Sequence, residues 1–418
     1  MAGAAIGGLL MVATPVAPAP ALPQPWPELV LAAPSRSAAV TTSGVVLAPM
    51  AGVTNAAYRQ LCREQAESAL PEPPKDGDRT PALFVCEMIT SRGLVERDEK
   101  SLSMLAFDPG ERTRSVQLYG VDPAVMAKAT RMLCEEFGVN HVDLNFGCPV
   151  PKVTRKGGGG VLPWKRDLLE AILTSVVGAA DEFGVPVTMK TRMGIDGAHL
   201  TYRDAGRIAE QSGCAAIALH GRTVAQSYSG VADWDAIADL VQHVDLPVLG
   251  NGDVWEADDA RRMLDHTGAA GVVVGRGCLG RPWLFHDLVT ASLGRDQVAL
   301  PTLGEVAAIL RRHAVLLAGI MGEQRGLTDL RKHMAWYFKG FPVGALRRRF
   351  AMVASLAELD DLLAELDPAA EFPETELGQP RGRQGSPRGK VVMPQGWLDS
   401  ECGLDLDLAD AELDSSGG

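Results

Sequence analysis

Cys148 follows the short run HVDLNF (141–146) and Gly147, and it precedes Pro149 and the stretch KVTRKGGGGVLP. The position is a strand-to-loop junction, where a side chain can point into a cleft while a packed strand fixes its backbone. A cysteine taken alone is more often a buried, inert hydrophobe. Here Asn145 offers a donor and an acceptor at the same strand end and Pro149 stiffens the exit. The glycines from Gly157 to Gly160 would let the following segment open and close. A thiol held in this way can serve acid–base or nucleophilic chemistry, according to its ionisation.

Other polar residues recur at the ends of apolar runs. They are Pro49, Met50 and Ala51; Glu87; Gln117; Lys190 with Arg192; His220; Asn251, Gly252 and Asp253; and Gly275 with Arg276. The run GVVVGRG (271–277) closes on glycines that would let backbone N–H groups approach a phosphate.

The elements that must position these residues are legible as eight short strand-like runs. They are VVLAPM, ALFVCEM, SVQLYG, HVDLNF, PVTMKT, AAIALHG, PVLGNG and GVVVGRG, and most are followed by apolar spacing of three and four that ends in Gly. Strand and helix alternating eight times over residues 44–301 predict an α/β fold, a (β/α)8 TIM barrel whose polar strand ends share one mouth. A doubly wound sheet shows the same alternation; the strand count and the final glycine motif favour the barrel. Between the first helix and the second strand, AESALPEPPKDGDRTP reads as a long exposed loop lengthening the barrel rim.

Residues 302–366 read as a C-terminal all-helical domain, with Val306, Ile309, Leu310, His313, Leu317 and Ile320 at helical spacing. RKHMAWYFKG (331–340) interleaves cations with aromatics. Its aromatics suit a core and its cations a solvated face; equally, Lys332, Lys339 and Arg348 could meet a phosphate backbone. The formal net charge is −12, yet Arg311 to Arg349 holds nine Lys or Arg against Glu323 and Asp329. Of that −12, −7 lies in residues 367–418, with 11 acidic against 4 basic residues, and they read as a disordered Gly/Pro/Ser-rich tail.

Residues 1–43 read as a disordered Ala/Pro/Val-rich leader, whose only apolar run, AAIGGLLMVA, has no basic residue before it and is too short to span a bilayer. Met11 is an alternative start. Seven scattered cysteines with no C-x-x-C pair argue against a disulfide framework, a zinc site or an iron–sulfur cluster and suit a reducing cytoplasm. No metal and no membrane partner are expected.

In combination, LAPMAGVTNAAYRQLC, VQLYG, DLNFGCPVPKVTRKGGGG, VTMKTRMG, ALHGRT, VLGNGD and GVVVGRGCLGRPWLF resemble the tRNA-dihydrouridine synthases, most closely their B-type bacterial branch, over residues 44–366. The resemblance implies FMN in the barrel, NADPH (or NADH) as reductant and tRNA as substrate. It implies that Pro49, Met50 and Ala51 lie along the flavin, that Gln117 meets its polar edge and that Lys190 sits where charge accumulates on reduction. His220, Asn251, Gly252, Asp253, Gly275 and Arg276 would hold the ribityl chain and phosphate. Cys148 would give a proton to uracil C5 after reduction at C6, with Asn145 and Arg192 near the base. Four consecutive glycines, where the family often has Ala or Ser, imply a more flexible loop. Two alternatives stay open: a flavin dehydrogenase of free pyrimidines, of the dihydroorotate or dihydropyrimidine type, and an RNA-binding regulatory flavoprotein. The first has no need of a basic helical appendix; NADPH-driven flavin turnover would separate the second.

Overall fold

The computed structural model describes residues 24–36, 40–75, 79–296, 298–386 and 389–406. A short antiparallel pair, β1 (Leu29–Leu31) and β2 (Val40–Thr42), comes first. Then follow β3 (Val45–Leu47), β4 (Leu83–Phe84), β5 (Ile89–Thr90), β6 (Ser115–Tyr119), β7 (His141–Phe146), β8 (Val187–Arg192), β9 (Ala216–His220), β10 (Val248–Asn251) and β11 (Gly271–Val274). These nine run parallel in the order β4-β3-β11-β10-β9-β8-β7-β6-β5. The two outermost strands are pieces of one barrel position. Val85, between them, bridges to Ser115 of β6, and the Cys86 N–H donates to the Ser115 carbonyl at 2.9 Å. The ring therefore closes as a (β/α)8 barrel whose second strand is broken.

Helices carry the chain back from mouth to floor between strands. Pro123–Phe137 shows how sequence sets them: Asp122 accepts from the Ala124 and Val125 N–H groups, Pro123 opens the first turn, and Gly138 closes the helix with φ 59°. The loop after Ala56–Ser68, expected at the rim, joins a helix to a strand and so lies at the floor, opposite the mouth.

The barrel interior has two unlike halves. Val46, Ala48, Leu83, Val85, Ala216, Ala218, Leu249 and Val273 form one apolar cluster, into which Leu29 and Leu31 of β1 pack. The other half, on β6 to β8, holds Ser115, Gln117, His141, Asp143 and Thr188, all buried. The leader boundary at 43 is thus too late: β1 and β2, a separate two-stranded sheet, pack on the barrel, and Leu31 is wholly buried. The rest of that expectation, on residues 1–23 and 37–39, lies outside the described residues.

The helices Leu303–Met321, Glu323–Tyr337, Leu346–Phe350 and Leu356–Ala364 make the C-terminal unit. Thr302 and Glu305 form a reciprocal cap at its start. Leu310, Leu317, Leu330, Tyr337, Phe338, Phe350 and Leu362 share a core with Ala57, Leu61 and Trp283 of the barrel. The expected helical face holds at Val306, Leu310, His313 and Leu317, whereas Ile320 is exposed.

The tail also departs from expectation. Arg381 and Trp397 are buried, Phe372 joins the helical core, and Lys165 on the barrel donates to the Ser400 carbonyl at 2.5 Å. Acidic composition hid a few well-spaced apolar anchors. Residues 407–418 of the expected tail lie outside the described residues.

Candidate active site

At the strand C-terminal ends lies a cleft of about 530 Å³. Pro49, Met50, Ala51, Gln117, Asn145, Cys148, Lys190, Arg192, His220, Asn251, Gly252, Asp253, Gly275 and Arg276 all line it. The register explains the convergence: Gln117 pairs with Asp143, Asn145 with Lys190, and Arg192 with His220, so alternate side chains enter the barrel at matching heights.

A directed chain of hydrogen bonds orients the thiol's loop. Burial pushes the Asp143 carboxyl up to about 6, against hydrogen bonds from Thr188 and Gln117 and the charge of Lys190, so it is ionised at neutral pH and only accepts. Gln117 must therefore present Nε2 to Asp143 Oδ2, at 2.6 Å, and its Oε1 to Asn145 Nδ2, at 2.9 Å. That fixes Asn145 Oδ1 toward the Gly147 and Cys148 N–H groups, at 3.0 and 2.9 Å. On the other side Thr188 gives its one hydroxyl proton to Asp143 Oδ1 at 2.7 Å. His141, pushed down to about 3 by burial and hence neutral, must then donate from Nε2 to Thr188 and accept at Nδ1 from Ser115. Asn145, expected beside the base, has its carboxamide committed to the loop.

Arg192 is likewise a scaffold. Its Nε donates to the Gly147 carbonyl at 2.8 Å and its Nη1 to the Thr223 and Ser227 carbonyls at 3.1 and 2.8 Å. Ser227 has φ 54°, a left-handed backbone unusual for serine, and the guanidinium adds to the loop's own hydrogen bonds in holding it. The Asp253 carboxylate, also at positive φ, is engaged by Arg222 at 2.8 Å and by the Ala232 N–H at 2.7 Å. Arg222, which sequence reasoning missed in the motif ALHGRT, is buried and bridges these loops. Asn251 donates to the Val273 carbonyl at 2.7 Å. Glu87 accepts from the Gly52 N–H at 2.5 Å and so shapes the turn after Ala51.

The cleft is strongly cationic. Lys152, Lys156, Lys190, Arg192, Arg276 and Arg383 line it against Asp253 alone. Burial pushes the Lys190 ammonium down to about 7, Arg192 adds to the fall, and Asp143 and Cys148 oppose it. His220 falls well below its ordinary range through burial and the surrounding Arg192, Lys190, Arg222 and Arg276, and is neutral. Tyr228 and Trp255 give aromatic walls, each with the Arg276 guanidinium over its ring, at 4.8 and 5.0 Å. A Cβ at Gly275 would make only ordinary contacts, 3.5 Å from Ala48 and 3.8 Å from Met50. The space above that glycine is cleft, open to a ligand's close approach.

The glycine run after Cys148 is packed, contrary to the flexibility expected of it. All four glycines, Gly157 to Gly160, are buried. A Cβ on Gly159 would lie 2.7 Å from the Cys148 carbonyl oxygen and one on Gly157 2.6 Å from the Trp397 ring, and one on Gly160 would overlap Val224. Their role is close approach, because any side chain on these three would collide.

The three expected RNA-facing cations do not enter the cleft. Lys332 stands at its rim, near Gly52, paired with Asp329 at 2.6 Å. Lys339 is tied to Glu376 at 2.7 Å and to the Pro380 carbonyl. Arg348 is exposed on Leu346–Phe350. Trp336, from the same helical unit, does line the cleft. Sequence reasoning also missed Lys152 and Lys156, although their spacing just after the thiol, on the short helix Pro151–Thr154 and its continuation, was a signal. Among the described residues no three His, Cys, Asp or Glu side chains are grouped to hold a metal ion, and no helix is long and apolar enough to cross a membrane.

A closed (β/α)8 barrel with a cationic cleft at the C-terminal strand ends, lined by the Cys148 thiol and by glycines, has the architecture of a barrel enzyme. Residues 46–371 match the family model of dihydrouridine synthases, and the chain belongs to that family. It is 54% identical over 338 residues to a probable tRNA-dihydrouridine synthase of Mycobacterium tuberculosis, covering 80% of this chain and 85% of that one. A Mycobacterium leprae protein of the same name is 52% identical over 351 residues, covering 81% and 91%. The tRNA-dihydrouridine synthase B of Pseudomonas aeruginosa is 37% identical over 298 residues, covering 71% and 84%.

Proposed function

We propose that this chain reduces the C5–C6 double bond of a uridine in the D-loop of tRNA, with FMN bound in the barrel and NADPH (or NADH) as reductant. Membership of the dihydrouridine synthase family supports the reaction class and a flavin. The single observation that carries the reading is the cleft itself: Lys152, Lys156, Arg192, Arg276 and Arg383, with a partly charged Lys190, face one carboxylate around the Cys148 thiol, in a chain whose formal charge is −12. Such local charge suits phosphorylated partners that the whole molecule would repel.

The residues present fit a flavin mononucleotide. Pro49, Met50 and Ala51 offer a wall for a planar ring, Gly275 leaves room for close approach, and Arg276 and Lys190 supply charge for the phosphate and for the electron-rich edge. When bound, the flavin supplies the electron pair for the reduction. The chain's own share is to hold the base and deliver a proton to C5 from the Cys148 thiol. Asn145 and Arg192 serve by fixing the Gly147–Cys148 backbone on both its N–H and carbonyl sides. Lys152, Lys156 and Lys332 lie where a polyanion would approach.

The alternatives are less well served. A free pyrimidine gives no role to a helical unit that sends Trp336 into the cleft and Lys332 to its rim, and a purely regulatory protein gives none to the oriented thiol. The test is to incubate unmodified tRNA with the protein, FMN and NADPH and to map uridines that gain two hydrogens by mass spectrometry. The reading expects the gain in the D-loop. Gain on free uracil or orotate with none on tRNA, or no gain at all, contradicts it.

A further inference from the structure

We infer that Trp397, from the C-terminal tail, is a positioning residue for the Cys148 loop; the inference rests on the reading of Cys148 as the proton donor and deepens it. Trp397 is 3% exposed and its Nε1 donates to the Val161 carbonyl at 3.0 Å. Its ring lies over Gly157, whose φ of 82° and lack of a Cβ permit the approach. From there the path to the thiol is short. The Gly160 N–H donates to the Cys148 carbonyl at 3.0 Å, and Gly159 packs on that same carbonyl. Val224 packs on Gly160, and Val161, Ile195, Val224, Val391 and Trp397 form one cluster. The loop after the thiol is therefore held by Val224 and by a tryptophan from the far end of the chain.

The tail is fastened so that Trp397 stays in place. Lys165 sets its ammonium 5.0 Å from the Trp397 ring centre while donating to the Ser400 carbonyl. The Arg166 N–H donates to the Glu401 carbonyl, and the two side chains form an ion pair. Asp167 accepts from the Gly403 and Leu404 N–H groups at 2.7 and 3.2 Å. Three consecutive residues at the start of Arg166–Asp181 thus grip the tail just beyond Trp397. Nearer the helical unit the tail is anchored again: Arg381 donates to the Trp336 carbonyl at 3.0 Å, and Arg276 to the Arg383 carbonyl at 2.9 Å. Anchored at Arg276 on one side of the cleft and on the Cys148 loop at the other, the tail sets the loop's position.

The test reads the thiol directly, in the flavin-loaded full-length protein. Iodoacetamide alkylation of Cys148 is followed by peptide mass spectrometry, with half-buried Cys134 as internal reference. Trp397→Ala should raise the Cys148 rate on the order of ten-fold by favouring local opening, with Cys134 unchanged. Trp397→Phe keeps a ring over Gly157 but loses the bond to Val161, and should raise it by roughly two- to five-fold, as one hydrogen bond warrants. Should Trp397→Ala not fold, the Phe variant decides alone. A Cys148 rate equal to wild type in Trp397→Phe, or parallel increases at Cys134 and Cys148, overturns the inference. Failure of the proton-donor reading would show separately, as undiminished tRNA reduction by Cys148→Ala.

Discussion

Replacing Asn145 with aspartate changes one NH2 group to an oxygen at almost constant shape, and the chain of hydrogen bonds from Asp143 to Cys148 cannot absorb the change. In the native protein Asn145 Nδ2 donates to Gln117 Oε1 at 2.9 Å, while Gln117 Nε2 donates to Asp143 at 2.6 Å. In Asn145→Asp two acceptors face each other across the first gap. Turning Gln117 over would repair that pairing only by setting its carbonyl against the Asp143 carboxylate. The missing hydrogen bond costs about 1 kcal/mol and the unsatisfied Gln117 carbonyl about 1–3 kcal/mol more. Stronger acceptance of the Gly147 and Cys148 N–H groups by a carboxylate returns roughly 1 kcal/mol, leaving a net loss of about 2 kcal/mol. The loss depends on pH, because the introduced carboxyl, once protonated, can donate to Gln117. Its folded pKa should lie about 1.5 units above the usual carboxylate value, so the missing stability reappears at acid pH and vanishes again as pH rises through the folded pKa. Urea unfolding of wild type, Asn145→Asp and Asn145→Ala at matched pH values between 8 and about 4.5 checks this. The Ala variant carries no introduced carboxyl and shares Asp143 with wild type, so its deficit relative to wild type should change little with pH. An Asp variant as stable as wild type at pH 8, or one with the flat deficit of Ala, refutes the directed chain.

Lys190, held near a pKa of about 7 by burial, should make flavin affinity fall as pH rises, because binding the electron-rich edge favours the ammonium. Titration calorimetry should show Kd rising by up to about ten-fold per pH unit above that value, with the slope abolished in Lys190→Met. His313 is wholly buried and pushed down to about 3, so the unfolded chain takes up its proton first and the native state loses stability as pH falls below the ordinary histidine value. Relative to His313→Phe, wild type should lose about 2 kcal/mol between pH 7 and 5, measured by denaturant unfolding at each pH, where contributions common to both proteins cancel. For tRNA, neutralising Lys152 and Lys156 should reduce the log–log salt slope of binding by about one unit for each phosphate that is no longer neutralised.

The eight-strand alternation and the residues expected to line the barrel cleft, except Glu87, which supports the turn at Gly52 instead, were legible in the sequence, because strand ends in a closed barrel converge whatever else the chain does. The parts it concealed depend on distant partners. Gly157 to Gly160 are compatible with freedom or with close packing, and partners distant in the chain, Trp397 at Gly157 and Val224 at Gly160, decide between them. The same tryptophan, with Val391 and Met393, is too sparse within an acidic Gly/Pro-rich segment to show any period. A strand of three residues such as Leu29–Leu31 has no readable periodicity either. The polar half of the barrel was legible in principle: in HVDLNF the alternate residues His141, Asp143 and Asn145 are polar, marking one face of the strand. Lys339 and Arg348 were grouped with Lys332 by sequence proximity, but the helical fold sends them to different surroundings.

The most direct test of the account is to separate the two halves of the reaction in Cys148→Ala. Flavin reduction by NADPH should proceed at close to the wild-type rate, since the thiol takes no part in it. Anaerobic reoxidation of the reduced protein by tRNA, followed by flavin absorbance, should fall by a factor on the order of 10² to 10⁴, the usual contribution of a positioned general acid. Reoxidation by tRNA at the wild-type rate would contradict the assignment of Cys148 as the proton donor.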